Sequence, residues 1–137
     1  MNILIVEDNL AHQRITEYAL KRSSVPFVIS VVRDGQDALD YLFCQNEFAD
    51  KVKFPSPDII LLDLNLPKRD GREVLQVIKS SASLKDIPVI IVSTSDREED
   101  VSYASQMGVV AYISKSSGFD KFVEQLANIT QYVQPKS

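Results

Sequence analysis

The stretch NILIVEDN places Glu7 and Asp8 side by side at the tip of an apolar run that begins at Asn2. Adjacent carboxylates repel, by roughly 4 kcal/mol at about 4 Å and an effective dielectric near 20, so something must compensate. Comparable tips recur along the chain. Asp63 follows the apolar run 59–62 with Asn65 just beyond, Ser93 and Thr94 follow 89–92, and Ser114 and Lys115 follow 109–113. Three acids converging with one ammonium suit a hard divalent ion, and Mg²⁺ prefers few carboxylates, a backbone carbonyl and water. Such an ion would neutralise Glu7 and Asp8 and receive phosphoryl oxygens. Asp63 then has a chemistry of its own, because a carboxylate can attack phosphorus to form an acyl phosphate. Lys115 would supply a point charge to that phosphoryl group and the Ser93 hydroxyl a hydrogen bond.

These residues must be positioned by the elements that precede them. The runs 3–6, 28–32, 59–62, 89–92 and 109–113 are β-branched and continuous rather than alternating, which predicts strands buried on both faces of a parallel sheet. Helical patterns separate them. The first carries Leu10, Ala11, Ile15, Tyr18 and Ala19 on one stripe with Asn9 as its cap; the second carries Ala38, Leu39, Leu42 and Phe43 after Gly35. The third carries Val74, Leu75 and Ile78 behind a capping box of Asp70 and Glu73. The fourth, between Arg97 and Gly108, has only Val101, Ala104 and Met107 to bury and is the least anchored. The fifth carries Phe119, Phe122, Val123, Leu126, Ile129 and Val133. Five βα units with right-handed crossovers predict a doubly wound α/β sheet, whose ligands bind at the carboxyl ends of the strands.

At 137 residues with a net charge of −4, 45% hydrophobic and 25% charged residues, the chain is expected to be one globular domain, 1–137. The segment 44–57 is read as an extension of the second helix plus a loop, and 134–137 as a short tail. A single cysteine, no signal peptide and no membrane-length apolar run point to the cytoplasm and away from a membrane. The acidic balance argues against direct nucleic-acid binding, and Lys68, Arg69 and Arg72 read as a solvated loop. His12, off the apolar stripe, reads as a surface residue, and Cys44 as a small packed thiol. Tyr103 reads as surface, whether partner-facing or plain, and Phe119 with Phe122 as core. For Phe48, Val52 and Phe54, a partner contact and local packing stand equally.

Glu7-Asp8, Asp63-Leu-Asn-Leu-Pro67 with Gly71, Ser93-Thr94 and Tyr112-Ile-Ser-Lys115 together resemble the receiver domains of two-component response regulators, over nearly the whole chain. The resemblance implies a flavodoxin-like (βα)5 fold with strand order 2-1-3-4-5. It implies Asp63 as phosphoacceptor, with Mg²⁺ held by Asp8, Asp63, the Asn65 carbonyl and, through water, Glu7. It also implies that Lys115 pairs with the phosphoryl group, and that Ser93 and Tyr112 are the switch pair. Partners implied are a sensor histidine kinase and a downstream protein target or phosphotransfer protein, with homodimerisation through the face of the fourth helix, fifth strand and fifth helix. The subgroup it resembles is the stand-alone receiver paired with phytochrome-type kinases. One departure is Ser116, where the family usually has proline after the lysine.

Competing functions fit less well. An aspartyl phosphatase needs a general acid two residues after the nucleophile, and Asn65 cannot protonate a leaving group. A flavin module would want a Ser/Thr/Gly-rich loop after the first strand, where Glu-Asp-Asn repels phosphate. The chain is therefore expected to be no enzyme beyond Mg²⁺-dependent self-phosphotransfer and autodephosphorylation, with a receiver-like adaptor that binds without phosphorylation as the alternative.

Overall fold

The computed structural model describes residues 1–23 and 25–132; Val133, expected on the last helical stripe, and the tail 134–137 lie outside them. Strands β1 (Asn2–Val6), β2 (Val28–Val32), β3 (Ile59–Leu62), β4 (Val89–Ser93) and β5 (Ala111–Ser114) form one parallel sheet in the order 2-1-3-4-5. Helices α1 (Leu10–Lys21), α2 (Gly35–Leu42), α3 (Gly71–Ser80), α4 (Glu98–Gln106) and α5 (Phe119–Ala127) connect and follow them. The three central strands are buried along almost their whole length, whereas β2 and β5, expected to be buried on both faces, are the sheet's edges and only partly buried. The sheet separates two cores. Leu4, Val6, Ile60 and Leu62 face α2, α3 and α4, while Ile3, Ile5, Ile59 and Leu61 face α1 and α5.

Register sets the functional end. Val6 lies beside both Val32 and Leu62, and Ile91 lies beside both Leu62 and Tyr112, so the chain leaves β1, β3, β4 and β5 at one edge of the sheet. Asn9 caps α1 as expected, its side chain accepting from the His12 N–H at 3.0 Å. Asp34 caps α2 in the same way, accepting from the Asp37 N–H at 2.7 Å.

Several expectations are corrected. The buried face of α1 is Thr16, Ala19 and Leu20, with Leu10, Ala11 and Tyr18 exposed. The stripe is rotated because Thr16 returns its hydroxyl to the His12 carbonyl at 2.9 Å and can therefore be buried. The capping box at α3 does not form: Asp70 turns to Arg72 at 3.1 Å and Glu73 pairs with Arg69. Phe119 is 57% exposed, and helix geometry gives way at Asn128 to a 3₁₀ turn, Ile129–Tyr132, which still buries Ile129.

The segment after α2 does not extend the helix. The chain leaves it at Phe43, takes a positive φ at Cys44 (57°) and Asn46 (54°), and makes a short 3₁₀ turn, Asn46–Phe48. Tyr41, Phe48 and Phe54 then pack ring on ring, with centroids 5.0 to 5.9 Å apart. The Tyr41 hydroxyl donates to the Pro55 carbonyl at 2.8 Å. Local packing therefore accounts for Phe48 and Phe54, whereas Val52 is 93% exposed. Among the described residues no helix is long and apolar enough to cross a membrane.

Candidate functional site

Each strand tip delivers one part of the site. Glu7 follows β1 and is held by its N–H donating to the Val32 carbonyl at 3.0 Å; Asp63 follows β3, its N–H donating to the Val6 carbonyl at 3.1 Å. Carboxylate oxygens of Glu7, Asp8 and Asp63 lie within 4.8 Å of one another. Glu7 is 3% exposed and Asp63 is also buried, while Asp8 opens to solvent. A tight turn supports Asp63: the Asn65 N–H donates to its Oδ1 at 3.0 Å, and the Gly71 N–H donates to the Leu64 carbonyl at 2.9 Å. Gly71 is required there, because a Cβ would sit 2.2 Å from the Asp63 carbonyl oxygen.

Lys115, leaving β5, crosses to the acids. Its Nζ donates to Asp63 Oδ2 at 3.1 Å and to Glu7 Oε1, and it approaches His12 Nδ1 at 3.1 Å. A second cation at that distance would be repelled, so the imidazole is neutral and accepts the third ammonium proton. Burial, and then Lys115, hold the His12 imidazole below its ordinary pKa. Burial pushes the Glu7 carboxyl up to about 7, against the opposing pull of Lys115. One ammonium does not fully neutralise two buried acids and a neighbouring exposed one. The donor set is all carboxylate oxygen, the chemistry a hard divalent ion takes.

Residues 3–127 match the response regulator receiver domain. The chain belongs to that family. It is 39% identical over 130 residues to response regulator Rcp1 of Synechocystis sp. (strain ATCC 27184 / PCC 6803 / Kazusa), covering 95% of this chain and 86% of Rcp1. The phosphorylated cyanobacterial phytochrome response regulator RcpA superposes with a TM-score of 0.87 at 42% identity, over 99% of this chain and 95% of RcpA. The Mn²⁺-bound form of Rcp1 superposes with a TM-score of 0.87 at 37% identity, over 99% and 96% of the two chains.

In this receiver domain the strand tips bring Glu7, Asp8, Asp63 and Lys115 together, with Asn65 at the rim. Ser93 and Tyr112 stand to one side. Ser93 is fully buried and its Oγ accepts from the Ser95 N–H at 3.1 Å, while the Tyr112 hydroxyl donates to the Ser95 carbonyl at 2.5 Å. Burial raises the Tyr112 pKa against hydrogen bonding to Ser93 and Ser95. Lys115–Ser116 is trans, like every peptide bond among the described residues.

Three readings of the sequence are overturned here. His12 is no plain surface residue: the first turn of α1 returns it to the strand tips, a placement that its spacing from Glu7 signals. Arg72 is not a solvated loop cation. It pairs through Nη2 with the buried Asp100 at 2.9 Å, and that pair had no sequence signal, because Asp100 sits in an acidic run that reads as a wet face. Tyr103 also packs inward, its hydroxyl donating to the Arg72 carbonyl at 3.3 Å.

Proposed function

We propose that this receiver takes a phosphoryl group from a sensor histidine kinase onto Asp63, and that the change is read out on the face made by α4, β5 and α5. The observation that carries the reading is the convergence of Asp63 with two further carboxylates and with Lys115 at one strand edge. An Asp63 oxygen attacks the phosphorus of the kinase phosphohistidine. The O–P bond forms as the P–N bond breaks, and the electron pair returns to the kinase imidazole, which takes a proton from water. Lys115 pairs with the phosphoryl group, and the Ser93 hydroxyl turns to donate to it while Tyr112 follows inward.

A divalent ion, Mg²⁺ in this reading, fits Asp8, Asp63 and the Asn65 carbonyl, with Glu7 reached through water. Bound there, it would neutralise the acids and the incoming phosphoryl oxygens. The ring-packed 44–57 segment and residues 134–137 belong to one receiver domain, 1–137, acting in the cytoplasm. Its chemistry is limited to self-phosphotransfer and autodephosphorylation. The likeness to RcpA supports a phytochrome-type kinase as the donor. A downstream protein or phosphotransfer protein, or a second copy of the chain, receives the signal.

Intact mass after incubation with Mg²⁺ and acetyl phosphate tests this. One phosphoryl group is expected on the native protein, absent from Asp63→Asn and abolished by chelator. No gain in the native protein overturns the reading in favour of an adaptor that signals by binding alone.

A further inference from the structure

We propose that His12 is the positioning residue for the Lys115 ammonium, holding it beside Asp63 while the acids are engaged elsewhere; this rests on the phosphoacceptor reading above. A lysine stem is flexible, and its ammonium has three protons to place. In Lys115 two of them go to Glu7 Oε1 and Asp63 Oδ2, and the third goes to His12 Nδ1 at 3.1 Å. Nδ1 itself stands 3.9 Å from Glu7 Oε1, outside hydrogen-bond reach, so Lys115 is the partner of that nitrogen. The Lys115 side chain is 5% exposed, and the bond is therefore largely shielded from water.

The imidazole is carried on a fixed backbone. The His12 N–H donates to the Asn9 side chain at 3.0 Å, and the His12 carbonyl accepts from the buried Thr16 hydroxyl at 2.9 Å. The Asn9 N–H donates in turn to Glu7 Oε2 at 3.3 Å. On the other side, the Lys115 N–H donates to the Ser93 carbonyl at 2.8 Å. Both backbones behind the contact are thus tied down, and the lysine stem is the part free to swing.

His12 differs from the other two acceptors in carrying no negative charge and in standing apart from the carboxylate cluster. Glu7 and Asp63 are the acids that suit a divalent ion, and a dication among them repels the ammonium. With carboxylates alone as acceptors, Lys115 would then be released toward solvent. Nδ1 keeps it within reach of Asp63, where the phosphoryl oxygens arrive. Because the imidazole is neutral, the ammonium keeps its full charge for the phosphoryl group.

The test uses the full chain labelled with ¹⁵N. His12 is its one histidine, so the imidazole nitrogen resonances belong to it without further assignment. In the metal-free protein the Nδ1 resonance is expected to be that of a hydrogen-bond acceptor and to move when Lys115→Met removes the donor. His12→Leu removes the acceptor at similar volume, with His12→Ala in its place if that variant does not fold. His12→Asn puts a carboxamide oxygen close to where Nδ1 lies. Uptake from acetyl phosphate at saturating Mg²⁺ is expected to fall about fivefold in His12→Leu, as for one lost hydrogen bond, and to stay within about twofold of native in His12→Asn. The Mg²⁺ concentration giving half the maximal rate should stay at the native value in both.

An Nδ1 resonance indifferent to Lys115→Met, or native uptake in His12→Leu, overturns the proposal. So does an equal loss in His12→Asn and His12→Leu, which marks the ring as packing alone. A native chain that gains no phosphoryl group, with Nδ1 still responding to Lys115→Met, overturns the phosphoacceptor reading and leaves His12 as the residue that holds Lys115 on the acids.

Discussion

The Lys115 ammonium meets the Asp63 carboxylate across the sheet, Nζ 3.1 Å from Oδ2, and the same nitrogen also reaches Glu7. One cation thus serves two buried acids that arrive from the adjacent, hydrogen-bonded strands β1 and β3.

Removing that cation strands both acids. Lys115→Met is expected to cost about 3 kcal/mol of stability at neutral pH without divalent ions, because the buried carboxylates lose their partner. Urea unfolding with and without Mg²⁺ checks this. The stabilisation by Mg²⁺ should be larger in the variant than in the native protein.

A divalent ion taken up beside Glu7 would bind with a pH dependence set by that carboxyl. Its carboxyl sits at about 7 in the folded protein against 4.5 ordinarily, so between those values the folded state keeps a proton the unfolded chain releases. Its contribution to stability is full below 4.5 and is lost as pH rises through about 7. A divalent ion favours the ionised form and must displace that proton. Mg²⁺ should therefore bind more tightly at pH 8 than at pH 6, with proton release seen by calorimetry in two buffers of different ionisation enthalpy.

Asp100 acts in the opposite sense. Its folded pKa is depressed from 3.8 to about 2, first by the Ser95 hydrogen bond, so its contribution is full above 3.8 and is lost as pH falls through about 2. The shift corresponds to about 2 kcal/mol. Denaturation curves taken from pH 6 down to pH 2 should lose stability less steeply in Asp100→Asn than in the native protein.

Two glycines should respond very differently to alanine. Gly71→Ala drives a Cβ to within 2.2 Å of the Asp63 carbonyl oxygen and is expected to cost more than about 3 kcal/mol. Gly108 has a φ of +79° but open space around it, so Gly108→Ala pays only for the left-handed backbone, about 1 kcal/mol. Thermal unfolding ranks the two.

The segment after α2 should loosen without its central ring. Phe48→Ala removes a buried aromatic and is expected to cost about 3 kcal/mol. Limited proteolysis should then cut first near Lys51 and Lys53, at rates above those of the native chain.

The strands were legible because a strand buried on both faces needs an unbroken apolar run, and the runs ending at Val6 and Leu62 supply nothing else. The acids at their tips were legible for the same reason: a charge that follows such a run can only lie at the sheet edge. Periodicity describes apolar faces, however, and Asp100 and Arg72 form a charge pair 28 residues apart that leaves no periodic trace. The rotation of α1 leaves no mark in the hydropathy pattern, because Thr16 counts as polar until its hydroxyl finds the His12 carbonyl. His12 lies off the apolar stripe of its own helix, and its place at the site depends on the strand tip that the first turn of α1 returns to.

Lys115 is 108 residues from Glu7 and 52 from Asp63 along the chain. On the ribosome the three acids emerge long before the ammonium that balances them, and only the docking of β5, the last strand, brings it in. A chain that stops short of β5 carries the three acids without their counter-cation, so the charge balance of this sheet edge depends on a residue delivered by the last strand.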